Sequence, residues 1–262
     1  MLQTMRRHKP SRLLAFCLGI LLIGLLIQAA GWLKGDRIVF PGVGEILQAF
    51  FRLLLTPRTW TLIGTTFLHL LQSLAVSTVV GIALGLLQGS SDFARDLLRP
   101  LMTLLRSIPM IVLVVMMMVL MKYRYVPLAA TSLILIPIIS EATSEGMRHI
   151  EPEYLDVYRM NSGMNGQVIF RVYLPLMAGY LRQAYVGAVG MGLRLTVSTE
   201  YLVQSADSLG KAVNTSSYFS EYAEIYGYAL IMILLVVAVT EIPAGLIRGA
   251  FRSPPHPPSG GD

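Results

Sequence analysis

The sequence predicts an all-α, polytopic membrane protein with about six transmembrane helices. Of the 262 residues, 54% are hydrophobic and only 14% are charged, and the mean hydropathy is +0.62. Soluble domains carry about 25% charged residues, so this chain is too apolar for water. Its apolar segments also recur along the whole length, which excludes a single anchor with a soluble tail and an ordinary cytosolic enzyme.

Each predicted span is long enough to cross a bilayer, which takes about 20 apolar residues as a helix. Backbone polar groups in lipid must be bonded within the segment, so a helix is expected for every one. Glycines such as Gly81, Gly85, Gly187 and Gly190 would let these helices pack closely. The predicted spans are Leu13–Leu33, Leu62–Leu87, Leu97–Met121, Val126–Gly146, Leu176–Val197 and Tyr226–Ile247.

The distribution of positive charge predicts the topology. With the N-terminus inside, 13 of the 21 Lys and Arg residues fall in inner segments, as cytoplasmic loops favour. We therefore expect both termini in the cytoplasm of a bacterial cell, with the chain in the inner membrane. Residues 1–12 form an N-terminal tail, residues 13–250 a transmembrane domain, and the Pro- and Gly-rich residues 251–262 a disordered tail. The single cysteine, Cys17, is interpreted as a small buried apolar residue.

Two segments are expected on the outer side of the membrane. In residues 40–55, apolar residues recur at helical spacing after a Pro-Gly turn, which predicts an amphipathic helix on the outer membrane face. The second segment, Glu200 to Ile225, is polar and rich in Ser, Asn, Gly and Tyr. We expect it to face the outer mouth of the protein.

Catalytic and metal-binding motifs are missing from the sequence. It contains no Gly-x-x-x-x-Gly-Lys-Ser/Thr, no His-Glu-x-x-His and no Cys/His cluster at metal-ligand spacing. The four histidines are scattered, and His69 is interpreted as an interhelical hydrogen-bonding residue rather than a metal ligand. No basic run is interleaved with aromatic residues, so no nucleic-acid partner is expected. We predict a chain that is not an enzyme and binds no cofactor.

Charged residues inside predicted spans are the usual sign of a functional path. Here they are Glu141, Glu145, Arg194 and Glu241, and each lies within a few turns of a predicted membrane surface. Arg194 and Glu200, near the outer end of the fifth span, are candidate outer-gate residues. For Arg194 an ion pair with a neighbouring acid is favoured over a substrate contact, because long cations pair or reach the surface by default.

The connection between the fourth and fifth spans, residues 147–175, carries internal order. Pro152 is flanked by two glutamates, which predicts a helix from Glu153 to Asn161 that Gly163 ends. A second helical piece, Gln167 to Tyr173, leads into Leu174-Pro175. Plain connections between helices take about 2–8 residues. We therefore predict a rigid cytoplasmic elbow, residues 147–175, that receives mechanical input from a partner.

Several stretches together resemble the permease subunits of type I ABC importers, in particular the nitrate/sulfonate/taurine-type family. The elbow carries Gly146-Met-Arg-His-Ile-Glu-Pro-Glu and Phe170-Arg-Val-Tyr-Leu-Pro, similar to the entry and exit of that family's coupling loop. Phe40-Pro-Gly-Val-Gly-Glu-Ile-Leu, Gly81–Gly89, Leu98–Pro109 and Ser205-Ala-Asp-Ser-Leu-Gly are similar to other family segments. The resemblance covers about residues 38 to 250.

The resemblance implies the type I permease fold and a set of residues that contact the ATPase. Asp156, Val157 and Tyr158 stand at the family's Glu-Ala-Ala positions, and Ser162, with Gly163 beside it, at its glycine position. Polar contacts are expected from Glu153, Asp156 and Arg159. Apolar contacts are expected from Tyr154, Leu155 and Tyr158. The full set of implied coupling residues is Glu153, Tyr154, Leu155, Asp156, Val157, Tyr158, Arg159, Ser162 and Gly163.

The same resemblance implies the partners and the mechanism. A second permease subunit would complete the pathway as a homodimer, two cytosolic ABC ATPase subunits would drive alternating access, and an external solute-binding protein would deliver a small-molecule substrate. Two alternatives remain open at this point. One is a secondary transporter or channel that needs no ATPase, and the other is a membrane scaffold protein. The identity of the solute does not follow from the sequence.

Overall fold

The computed structural model describes residue 39, residues 41–150 and residues 168–250, with residue 170 and residues 241–250 as backbone alone. Within that part the chain is helical and holds no strand. A 3₁₀ turn at Tyr123–Tyr125, a π-helix at Ile169–Tyr173 and a short turn at Leu174–Leu176 connect the longer helices. These longer helices are α1 (Val43–Leu55), α2 (Pro57–Ser90), α3 (Asp92–Ser107), α4 (Met110–Leu120), α5 (Val126–Arg148), α6 (Ala178–Val203), α7 (Leu209–Tyr218) and α8 (Tyr222–Ala250).

The structure confirms an all-α membrane fold over the described ranges. Three segments are long and apolar enough to cross a membrane: Pro57–Ser90, Tyr123–Arg148 and Tyr222–Thr240. A fourth is added if α3 and α4 count as one broken span. The predicted first span, Leu13–Leu33, lies outside the described residues, as do both tails and residues 151–167 of the elbow.

Helices α2 and α5 pack along a stripe of small residues that recurs every four positions on α2. Gly81 faces Ile139, Gly85 faces Thr143 and Gly89 faces Met147, so the two helices run parallel. A Cβ atom on Gly85 would lie 2.5 Å from the carbonyl oxygen of Ser140, which leaves no room for a larger residue. Closer to the start of α2, Ser77 Oγ donates to the carbonyl oxygen of Ser132 at 3.3 Å. This close approach is the small-residue packing of membrane helices.

The predicted third span, Leu97–Met121, is wrong as a single helix. It is broken into α3 and α4, whose axes differ by 101°. The cause is Pro109, which has no N–H to donate and disfavours the helical conformation at the residue before it. Ile108 accordingly adopts an extended conformation, with φ −65° and ψ 123°. Only Met102 of α3 is buried, so this helix packs on the others by a narrow face.

Helix α6 runs antiparallel to α2 and α5. Its first turn contacts the end of α5, where a Cβ atom on Gly146 would lie 3.1 Å from Met177, and Gly192 further along contacts Leu70 and Leu135. The predicted fifth span, Leu176–Val197, is thus a helix of 26 residues, although it is less apolar than the other spans. The predicted fourth and sixth spans correspond to α5 and α8.

The amphipathic helix predicted in residues 40–55 is present as α1, whereas its place on the outer membrane face stays a prediction. It buries Ile46, Ala49 and Leu53 on one face. That face packs on the beginning of α8, where a Cβ atom on Gly227 would lie 3.0 Å from Leu53. We call this end of the bundle, with α1, α7 and the start of α8, the α1 end. The opposite end, where α5 ends and α6 begins, is the elbow end.

Candidate functional site

A buried carboxylate, that of Glu200, joins three helices near the α1 end. Glu200 lies in the last turn of α6 and is 0% exposed. Thr66 Oγ1 on α2 donates a 2.8 Å hydrogen bond to Glu200 Oε2, and His69 Nδ1 lies 2.7 Å from Glu200 Oε1. The backbone N–H of Gly210 on α7 donates to Oε2 at 3.3 Å. A buried carboxylate is stable only with such partners, and here every partner comes from outside α6.

The connection from α6 to α7 is fitted tightly around this carboxylate. Gln204 and Asp207 take left-handed conformations, with φ 54° and φ 50°, which turn the chain back onto α6. A Cβ atom on Gly210 would lie 2.5 Å from the Cβ of Glu200, so only glycine fits there. The N–H of Leu209 donates to Thr66 Oγ1 at 3.0 Å, and α7 therefore binds α2 through the same threonine.

Two expectations concerning these residues meet different outcomes. His69 is confirmed as an interhelical hydrogen-bonding residue, since it joins α2 to α6. The expectation that Glu200 faces the outer mouth is corrected by its burial, because α6 continues to Val203 and the α7 connection covers the carboxylate. Sequence reasoning missed Thr66 and Gly210 as partners. The Ser-Leu-Gly sequence at residues 208–210 was the available signal for the start of α7. No local pattern indicated that the backbone there would contact Glu200.

Arg194, the other candidate gate residue, lies six residues before Glu200 on α6 and is exposed. It does not approach Glu200, which is already bonded to α2 and α7. Among the side chains that the structure describes, no carboxylate forms an ion pair with Arg194. Arg194 instead lines a groove between α6 and α8 with Ser198.

The α1 end also carries a polar cluster around Glu224. Arg52 on α1 forms an ion pair with Glu224 at 2.5 Å, and Ser216 Oγ on α7 donates to the other carboxylate oxygen at 3.1 Å. The negative charge of Glu224, and a hydrogen bond to it, raise the pKa of exposed Glu221 above its usual range, with a smaller contribution from burial. Arg52 opposes this shift. A cavity of about 230 Å³ beside the cluster is lined by Arg58, Lys211 and Asp207 among others.

At the elbow end, a hydrophobic cluster holds both sides of the elbow. Ile150, the last described residue before the gap, and Tyr173, shortly after it, belong to one buried cluster with Met147, Met177 and Leu181. The exit is a π-helix at Ile169–Tyr173, so the predicted second helical piece is helical over the described residues but wider than an α-helix. The implied coupling residues, Glu153 to Gly163, lie outside the described residues.

The remaining charged candidates lie near the same end. Arg106 on α3 forms an ion pair with Glu141 and donates to the carbonyl oxygen of Pro137 at 3.2 Å. Glu145 is exposed in the last turns of α5, and Glu241 belongs to the part of α8 described as backbone alone. Over the described residues, no group of three or more His, Cys, Asp or Glu side chains is placed to hold a metal ion.

Comparison with known proteins gives the family. Residues 77–248 match the model of the binding-protein-dependent transport system inner membrane component family. The chain is 27% identical to the nitrate import permease protein NrtB of Synechocystis sp. over 202 residues, 72% of this chain and 71% of that protein. It is 20% identical to the glycine betaine transport system permease protein OpuAB of Bacillus subtilis over 229 residues, which are 87% of this chain and 78% of that protein.

The fold is also that of a solved transporter. An inward-facing structure of the MetNI methionine ABC transporter matches with a TM-score of 0.60 and 16% identity, covering 74% of this chain and 94% of that one. This likeness confirms the fold that the resemblance implied. The family model covers more than half of the sequence. The chain therefore belongs to the inner membrane components of binding-protein-dependent transport systems and is the transmembrane subunit of an ABC importer.

Proposed function

We propose that two copies of this chain form the translocation pathway for a small solute, and that two cytosolic ATPase subunits drive it by alternating access. An external solute-binding protein delivers the solute to the α1 end. The chain itself performs no catalysis, and ATP is hydrolysed by the partner. The membrane is the bacterial inner membrane, with both termini in the cytoplasm, and the elbow end faces the ATPase.

The attachment of the elbow is the observation that carries this proposal. Ile150 and Tyr173, which lie before and after residues 151–167 in the sequence, pack in one buried cluster with Met177. Gly146 packs against Met177, which joins the end of α5 to the start of α6. A displacement of the elbow is therefore transmitted to both helices at once.

The helix contacts extend that displacement through the subunit. Helix α5 is held to α2 along Gly81, Gly85 and Gly89, where the backbones are too close to slide independently. At the α1 end, Glu200 joins α6 to α2 and α7. A push at the elbow thus reaches the α1 end through rigid helices, which is what alternating access requires.

The roles of single elbow residues follow from the family resemblance. Tyr154, Leu155 and Tyr158 fill a groove on the ATPase, whereas Glu153, Asp156 and Arg159 make polar contacts with it. Val157, Ser162 and Gly163 complete the surface that docks. At the α1 end, Arg194 contributes to an outer gate, and Glu200 contributes indirectly by holding the connection to α7 in place.

The experiment is purification of the chain from its native host in mild detergent. A stoichiometric ATPase that co-purifies, with ATP hydrolysis stimulated by the solute-loaded binding protein, supports the importer mechanism. A chain that purifies without an ATPase from membranes in which it is active would contradict the proposal. That result would favour a secondary transporter, a channel or a scaffold protein.

A further inference from the structure

The short turn between α4 and α5 combines two basic and two aromatic side chains. Lys122, Tyr123, Arg124 and Tyr125 follow one another in the sequence, and all four are exposed. The guanidinium carbon of Arg124 lies 5.6 Å from the centre of the Tyr125 ring, which is a cation–π contact. The turn therefore presents positive charge and aromatic surface together.

This turn lies at a boundary of the hydrocarbon core. The segment Tyr123–Arg148, which begins in the turn, is long and apolar enough to cross a membrane. On the other side of the turn, α4 contains no polar residue. Val114 of α4 packs in one buried cluster with Val126 and Ala130 of α5, so the two helices lie side by side below the turn. Tyr, Lys and Arg are typical of the level at which such segments reach the membrane surface.

An exposed apolar face of α4 continues as far as the turn. Ile111, Val115 and Val119 recur every four residues on this face, and Val119, close to the turn, is 82% exposed. On a membrane helix, side chains of this kind are covered by lipid acyl chains. A phospholipid whose acyl chains lie along this face would have its headgroup beside Lys122 and Arg124.

The charges on the turn complement a phosphate group. Among the side chains in the described ranges, no carboxylate forms an ion pair with Lys122 or Arg124. A guanidinium offers a planar set of donors that matches phosphate oxygens, and an ammonium adds a compact positive charge. Phospholipid phosphates lie just outside the acyl region, at the level where the apolar residues of α4 end.

We propose that the turn at residues 122–125 binds the phosphate of an anionic phospholipid in the leaflet at the α1 end. Lys122 and Arg124 contact the phosphate, and the rings of Tyr123 and Tyr125 lie at the border between headgroup and acyl chains. The acyl chains cover the exposed face of α4. This inference requires only that the chain is embedded in a membrane, so it is independent of the ATPase partner and of the solute.

The test is photo-cross-linking in vesicles of phosphatidylethanolamine with phosphatidylglycerol as the minor component. Tyr123 is replaced by the photoreactive residue p-benzoylphenylalanine, which keeps an aromatic ring at that position, and the adducts are identified by mass. We expect phosphatidylglycerol in the adducts to exceed its share of the vesicle by about threefold or more, because basic residues near a membrane surface attract anionic lipid. The same residue at Val119, one turn into α4, is the matched control and should cross-link both lipids in proportion to their abundance.

Charge variants identify the source of the preference. Lys122→Gln combined with Arg124→Gln should lower the enrichment at position 123 to the level at position 119. Arg58→Gln combined with Lys211→Gln removes the same charge from the α1 end and should leave the enrichment unchanged. An equal yield of lipid adducts at position 119 shows that each variant is inserted and folded. Enrichment that survives the loss of Lys122 and Arg124 would overturn the inference, as would adducts at position 123 with a second copy of the chain in place of lipid.

Discussion

Glu200 Oε1 lies 2.7 Å from His69 Nδ1, although the two residues are 131 positions apart in the sequence. The contact joins the last turn of α6 to the second quarter of α2 and lies next to the start of α7. Glu200 also accepts from Thr66 and from the backbone of Gly210. The Glu200 carboxylate therefore holds α6 to α2 and α7 at the α1 end, and its removal should weaken the packing of these three helices.

Replacing Glu200 by Ala should destabilise the chain. Thr66 Oγ1 and the Gly210 N–H would be left buried without their acceptor, and an unsatisfied buried group costs about 1–3 kcal/mol. Thermal unfolding of the purified protein in detergent should show a lowered midpoint. The control is Glu145→Ala, at an exposed glutamate of α5. Equal unfolding midpoints for the two variants would show that the hydrogen bonds of Glu200 do not stabilise the packing of these helices.

Gly85→Ala should separate α2 from α5. Its new Cβ atom would meet the backbone carbonyl oxygen of Ser140 at 2.5 Å, in a place where neither helix can yield alone. Overpacking of this kind costs about 1–3 kcal/mol. Gly64→Ala on the same helix meets nothing within 4 Å and serves as the control. Unfolding midpoints of the two variants should differ, and a tolerated Gly85→Ala would contradict the parallel packing described above.

Glu221→Gln should raise stability at neutral pH. The pKa of Glu221 is raised chiefly by the negative charge of Glu224, so its ionised form is disfavoured in the folded state. A raised pKa means that this group stabilises folding at acid pH, and that the contribution is lost as the pH rises through the folded pKa. The glutamine variant should therefore have the higher unfolding midpoint at pH 7.

The advantage of Glu221→Gln should disappear in acid, where both side chains are neutral. Because Glu221 is exposed, the difference should also shrink at high salt. Glu145→Gln, at an exposed residue of α5, controls for the general loss of one negative charge. A midpoint difference independent of pH would mean that the Glu221–Glu224 repulsion is not its cause.

Reporter fusions should place the two ends of the bundle on opposite sides of the membrane. The charge distribution predicts a cytoplasmic C-terminus and an outer segment at residues 207–217. A fusion at Pro254 and one within 207–217 should give opposite signals with a reporter that is active on one side only. Signals from the same side would contradict the topology.

Local sequence patterns were sufficient for much of the fold. Apolar length alone predicts α2, α5 and α8, because helix formation in lipid depends on the segment itself. The break at Pro109 was missed, although this proline constrains Ile108 directly and its effect is local. Helix α7 was missed, although Ser208 is its N-cap and accepts from the N–H of Lys211 at 3.2 Å. Its short, polar sequence resembles a loop when the cap is overlooked.

The candidate site was less accessible to sequence reasoning. Glu200 was selected for its charge near a helix end, but its burial depends on how α7 folds back over it. Contacts between residues more than 100 positions apart arise only from tertiary packing, and no local pattern encodes them. The predicted end of the fifth span, Val197, falls six residues before the end of α6 at Val203 for a related reason. The end of α6 is set by the left-handed turn at Gln204 and not by hydropathy.

The most direct test of the central claim is to measure coupling in a variant at the centre of the elbow. By the resemblance in sequence, Tyr158 stands where the family has a small alanine, so the proposed ATPase groove should be shaped around it. Tyr158→Ala would remove an interface anchor of ~2 kcal/mol or more, whereas Arg95→Ala on α3 should change little. The account predicts weakened ATPase co-purification and reduced solute-stimulated ATP hydrolysis for Tyr158→Ala alone. Full coupling in that variant would contradict the proposal that the elbow transmits the ATPase movement.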